Sequence, residues 1–243
     1  DFGAIFSSIT DENIAHKHAE VVKYRSRLAG TQENLEVSRW VEQELRRSGL
    51  KVITQSFPVT VPVTKWCRIT TADNALIPGV TIDPFWPNLV RTCTTLPEPD
   101  GVTGRVVDIG TGSMRELNGK DIAGNIALVS MPLNSSSQPW LDAAKLGAAA
   151  LLFRPPDDPR GFMAKTLNFP ADLPRFYVTG DADSLIGQLV KISARVDWEI
   201  LEARNVIGVL EPDRPSNEAL AIVSHTDSWS PVPDIAPGYQ DGA

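Results

Sequence analysis

Two early stretches of the chain place apolar residues at helical spacing. Thr10 supplies a capping hydroxyl, Asp11 and Glu12 supply acids for a first turn, and Ile14, Val21, Val22 and Leu28 follow as an apolar stripe; this pattern predicts a surface helix. Val37, Trp40, Val41 and Leu45 then share one face with charges opposite, and Gly49 stands where a left-handed cap closes a second helix. Arg27-Leu28-Ala29-Gly30-Thr31 reads as the turn between them. Past Gly49 the period shortens, and the β-branched and aromatic residues of 50–57 predict a strand.

From about residue 58 to 196, prolines and glycines punctuate short apolar runs, which marks a separate β-rich module. Residues 104–110 and 122–129 read as strands, 140–146 as a helix, 148–153 as a buried strand, 173–178 as a further strand and 183–189 as helical. Beyond Ala203, residues 205–210 and 219–223 read as strands of a main sheet joined by the polar, proline-bearing turn 211–217. The second of these runs directly into Ser224-His225-Thr226-Asp227-Ser228. His225 is thereby expected at the C-terminal end of a strand, where open α/β sheets collect their chemistry.

Composition narrows the class. An apolar content of 42% over 243 residues is enough to bury a core. With 23 basic against 30 acidic residues the net charge is −7, and no basic run could track a phosphate backbone, so nucleic acid is not expected as a partner. No stretch approaches the roughly 20 apolar residues of a membrane span. The chain opens on Asp1 without a basic-then-apolar leader, leaving room for export with the leader removed. Cys67 and Cys93 could form one disulfide in an oxidising compartment or stay as two thiols, and their spacing signals neither zinc nor redox chemistry.

The candidate chemistry lies near the C-terminal end. His225 and Asp227 are two apart, so on an extended backbone they share a side, and the carboxylate can accept the hydrogen bond of the ring nitrogen that faces away from a metal. The same pair also serves as an ordinary edge-strand hydrogen bond. Asp241 sits in the loop Pro237-Gly238-Tyr239-Gln240-Asp241-Gly242-Ala243, where a carboxylate can bridge two cations or equally cap a following helix. His16 and His18 read as surface residues, Arg27 and Asp108 as structural ones, and Trp66, Trp86 and Trp140 as buried anchors. Ser228 reads as a loop hydroxyl, because no Gly-x-Ser-x-Gly elbow surrounds it.

As an ordered set these segments resemble the dizinc aminopeptidase and glutamate carboxypeptidase-like peptidases, which include the transferrin receptor ectodomain as a non-enzymatic relative. The Arg27–Thr31 turn before a long helix looks like that family's opening. Residues 104–110, 121–129 and 143–153 look like an inserted protease-associated domain, and residues 205–208, 222–228 and 237–243 look like the strands and loop of the first metal-site segment. The resemblance implies an α/β mixed-sheet zinc exopeptidase-like domain, N-terminal part only, formed by residues 1–61 and 199–243, with the protease-associated domain inserted at 62–198.

It further implies a secreted or periplasmic enzyme that hydrolyses amide bonds of peptide or aminoacyl substrates with a hydroxide held by two zinc ions. His225 would bind one zinc, Asp241 would bridge both, and Asp227 would orient His225. The catalytic base and the other ligands would lie beyond Ala243, so this chain alone is expected to be inactive and to need the remaining C-terminal segment of the catalytic domain. Tyr239 and Gln240 replace the smaller residues usual before the bridging aspartate. An inactive receptor or scaffold of the same fold, and a dizinc hydrolase of non-peptide amides, are the competing readings, and a homodimer is compatible with each.

Overall fold

The computed structural model describes residues 11–85, 101–130, 140–155, 173–214 and 216–238. The chain divides into two compact units, one formed by Asp1–Val61, Glu199–Trp229 and Ile235–Ala243, the other by Pro62–Trp198 and Ser230–Asp234. No helix among the described residues is long and apolar enough to cross a membrane.

In the first unit, helix α1 spans Asp11–Val22 and α2 spans Gln32–Arg47. Both ends of α2 follow from local chemistry. Thr31 caps it with an extended backbone, its hydroxyl accepting the Asn34 amide. At the other end Gly49 takes φ +79°, its amide donates to Arg46 O, and the Leu50 amide donates to Leu45 O. That double closure needs a left-handed residue, which glycine supplies without a Cβ penalty. Leu45 and Leu50 then meet over Gly208, where an added Cβ would come within 3.2 and 3.0 Å of their methyl groups.

Strand β1 covers Lys51–Thr71 and β7 covers Leu189–Val209, 21 residues each, and both contribute to each unit. The strands expected from the sequence, 50–57 and 205–210, cover only the first part of β1 and the last part of β7. Pro58 and Pro62 interrupt the pattern of β1 yet are accommodated, because β1 is the edge of the seven-stranded sheet, whose order is β1-β7-β3-β4-β5-β6-β2, and an edge strand can spare amide donors. The strand expected at residues 219–223 does not form. That stretch joins no ladder among the described residues, and Leu220, Ile222 and Val223 are 92%, 93% and 89% exposed. Propensity alone does not make a strand where no neighbour supplies hydrogen bonds and packing.

The second unit holds β2 (Val80–Pro84), β3 (Val102–Asp108), β4 (Ile126–Ser130), β5 (Ala150–Arg154) and β6 (Arg175–Gly180). Strands β3 to β6 run parallel, while β2 and β7 lie antiparallel on β6 and β3. The sequence gives no sign of β2. Strands β4 and β5 are buried at every position but their last, as continuous apolar runs covered on both faces should be. On one face Ile126, Leu128, Leu152, Phe176 and Val178 pack with Leu185 and Ile192.

On the other face Phe153 lies 4.9 Å from the Phe85 ring and 6.1 Å from Trp140. Helix α4 (Trp140–Lys145) provides that tryptophan. The Arg175 guanidinium rests 4.9 Å over its ring, and burial pulls the arginine down to about 10, so it stays charged at neutral pH. Cys67 is a free thiol whose pKa burial pushes up; Cys93 and Trp86 lie outside the described residues. Asp108 is structural, receiving Arg154 at 2.6 Å, and Arg154 also reaches Asp183 at 2.7 Å.

Short helix α3 (Met114–Leu117) opens on a reciprocal cap in which Glu116 accepts the Ser113 hydroxyl and amide and the Thr111 hydroxyl. Those bonds, Ser113 foremost, lower the Glu116 carboxyl to about 2. Because the folded value is the depressed one, this cap stabilises fully above the unfolded carboxyl range and is lost as pH falls toward about 2. An NMR titration should show the Glu116 midpoint there, and Glu116→Gln should flatten the acid limb of the stability profile. Phe153→Ala should destabilise the second unit by about 3–5 kcal/mol in urea unfolding.

Candidate functional site

The turn Arg27-Leu28-Ala29-Gly30-Thr31 has a physical reason at almost every position. The Thr31 amide donates to Leu28 O at 3.0 Å, closing a four-residue turn whose third position must take positive φ, and Gly30 does so at +82°. An added Cβ at Gly30 would sit 2.9 Å from Leu201 Cβ and from Val59 Cγ2, so β1 and β7 pass where a side chain would be. Leu28 is buried. Asn34, itself buried, accepts the Gly30 amide at 3.1 Å and directs its amide nitrogen at Thr226 O, 3.4 Å away.

Arg27 is fully buried and joins two segments distant in sequence. Its Nη1 donates to Thr226 O at 3.1 Å, Nε to Pro237 O at 2.9 Å and Nη2 to Gly238 O at 3.1 Å. The backbone repeats the connection. Ser228 N donates to Arg27 O, Arg27 N to Ala236 O, and Ala236 N to Arg25 O, at 3.0, 2.9 and 2.9 Å, with Ser26 and Ala236 forming a parallel bridge. The buried Ser228 hydroxyl donates to Ala236 O, so this serine is a structural tie and not a nucleophile.

The stapled turn carries the two residues singled out by their spacing. His225 Nδ1 lies 3.2 Å from Asp227 Oδ1. A carboxylate only accepts, so the pairing puts a proton on Nδ1, and in the neutral imidazole Nε2 then keeps its lone pair. The His225 side chain is 75% exposed and that of Asp227 42%, so Nε2 is open to a ligand. An imidazole with its second nitrogen tied to a carboxylate is the donor chemistry that zinc takes. Asp241 lies outside the described residues. Among those described, no group of three or more His, Cys, Asp or Glu side chains converges to hold a metal.

The other tempting residues fall elsewhere. His16 is exposed on α1 and His18 is half-buried there; Trp66 is half-buried with Arg68 5.6 Å from its ring, whereas Trp140 is a true core anchor. Sequence reasoning missed the reach of Arg27. Its acceptors are backbone carbonyls, which any residue possesses, so no residue pattern could have revealed them.

No family model matches the chain, and no curated protein matches it. Among solved structures it is similar to a zinc aminopeptidase from Bacillus subtilis, at 15% identity over 83% of this chain and 48% of that one, with a TM-score of 0.56. It is also similar to a peptidase M28 precursor from Shewanella amazonensis, at 15% identity over 88% of this chain and 53% of that one, with a TM-score of 0.52. An aminopeptidase from an Aneurinibacillus strain aligns at 23% identity over 95% and 55% of the two chains, with a TM-score of 0.45. The chain spans about half the length of these structures. The Bacillus and Shewanella structures establish an α/β fold shared with a zinc aminopeptidase and a peptidase M28 precursor.

Gly30→Ala tests the turn itself. A strained φ combined with the close approach of β1 and β7 should cost about 2 kcal/mol or more, measured as a lower urea midpoint with unchanged slope.

Proposed function

We propose that this chain supplies part of the active site of a zinc-dependent exopeptidase, with His225 as a metal ligand, Asp227 as the carboxylate that orients it, and Asp241 as the ligand bridging two zinc ions. The observation that carries the reading is the His225–Asp227 pair, 3.2 Å apart, on a turn tied to the loop that leads toward Asp241. The likeness of fold to a zinc aminopeptidase and a peptidase M28 precursor supports it. In the same reading Pro62–Trp198 is a protease-associated domain inserted in the peptidase-like unit, and the protein is exported.

The residues present divide the work simply. Asp227 holds the His225 proton on Nδ1 and so keeps Nε2 available as a donor, which raises ligand basicity and fixes the ring plane. Asp241, three residues past Gly238 in the sequence, would add a second, charged ligand. Zinc bound there would supply Lewis acidity toward an amide carbonyl and lower the pKa of a water nucleophile toward neutrality. The substrate is a peptide or aminoacyl amide. The remaining ligands and the proton-shuttling base come from chain beyond Ala243.

Zinc content measured by mass spectrometry on the full-length protein tests this reading. Two metals per wild-type chain, reduced in His225→Ala without loss of the native fold, is the expected result. Equal and negligible content in both proteins would point to a scaffold of the same fold.

A further inference from the structure

We infer that Arg27 is a positioning residue whose guanidinium sets the spacing between the His225 turn and the loop that leads to Asp241; the inference rests on the metal reading of His225 and Asp241. The geometry is specific to arginine. Nη1 is committed to Thr226 O, one residue after His225, while Nε and Nη2 are committed to Pro237 O and Gly238 O at the start of the Asp241 loop. One planar, rigid group therefore measures the distance between two segments. A lysine ammonium is a point donor on a flexible stem and cannot hold three carbonyls in that fork.

Burial makes the arrangement selective. Arg27 is fully out of water, where a charged group is tolerated only with its donors satisfied. The three carbonyls are thus held by the charge as firmly as the charge is held by them. A guanidinium only donates and offers a metal no lone pair, so Arg27 does not itself belong to the ligand set. It acts through backbone, with Asn34 on Thr226 O as a second, weaker hold on the same turn. A small displacement of the Thr226 turn would change the direction from which the His225 imidazole meets a cation, and supporting residues of this kind commonly govern metal affinity.

The test compares Arg27→Lys with Val37→Ala in the full-length protein. Val37 is buried on α2 and its side chain has no hydrogen-bonding atom, so its truncation weakens the same unit without removing a hydrogen bond to either loop. Hydrogen exchange reads the staple directly: the Ser228 and Ala236 amides, which donate to Arg27 O and Arg25 O, should exchange about tenfold faster or more in Arg27→Lys, while the Leu151 amide in the second unit keeps its rate. Zinc affinity, by competition with a chromophoric chelator, should fall about 10- to 100-fold in Arg27→Lys and stay near wild type in Val37→Ala.

Unchanged exchange at Ser228 and Ala236 would overturn the staple. Faster exchange with unaltered zinc affinity, or an equal affinity loss in Val37→Ala, would overturn its role in placing the ligands. Wild-type protein that takes up no zinc would remove the proposed function and the metal role together, with the exchange data still deciding whether Arg27 joins the two loops.

Discussion

A guanidinium withdrawn from water has to find acceptors lying in its own plane, and in this protein it finds them on two segments more than a hundred residues away along the chain. Arg27 reaches Thr226, Pro237 and Gly238, and the arrangement of the first unit around that point follows. The turn after Arg27 must be tight, so Gly30 takes a positive φ and Thr31 begins α2 at once. The turn must also lie flat against β1 and β7, which is why Val59 and Leu201 occupy the space a side chain at position 30 would need. A five-residue motif is thus explained by one buried charge and two neighbouring strands.

The second unit is held differently. Its inner parallel strands β4 and β5 are covered on both faces, and apolar packing rather than a buried charge dominates. The aromatic cluster of Phe85, Phe153 and Trp140 closes one side, with Arg175 laid on the indole. At the ends of β3 and β5 the ion pairs of Arg154 with Asp108 and Asp183 are partly solvated, so they specify geometry more than they stabilise it.

What the sequence made legible was whatever local chemistry controls. The ends of α2 were readable because a threonine cap and a glycine closure act within a few residues of the helix. Strands β4 and β5 were readable because burial on both faces leaves an unbroken apolar run. The His225–Asp227 contact was readable because a separation of two fixes a shared side. The full length of β1 was hidden by Pro58 and Pro62, whose tolerance depends on an edge position that only the assembled sheet defines. The failed strand at 219–223 errs the opposite way, since its residue types suit a ladder that the described neighbours do not offer. Arg27 was illegible for the deepest reason: its partners are recognised as backbone, and backbone leaves no trace in residue identity.

The extended stretch before His225 carries one more consequence. Upstream of the imidazole, Leu220, Ile222 and Val223 are almost wholly exposed among the described residues, whereas downstream Thr226 and Ser228 are tied to the Arg27 turn. The histidine is mounted like a bracket fixed at one end. Its orientation is inherited from the residues that follow it, so the backbone of the few positions after it carries the constraint.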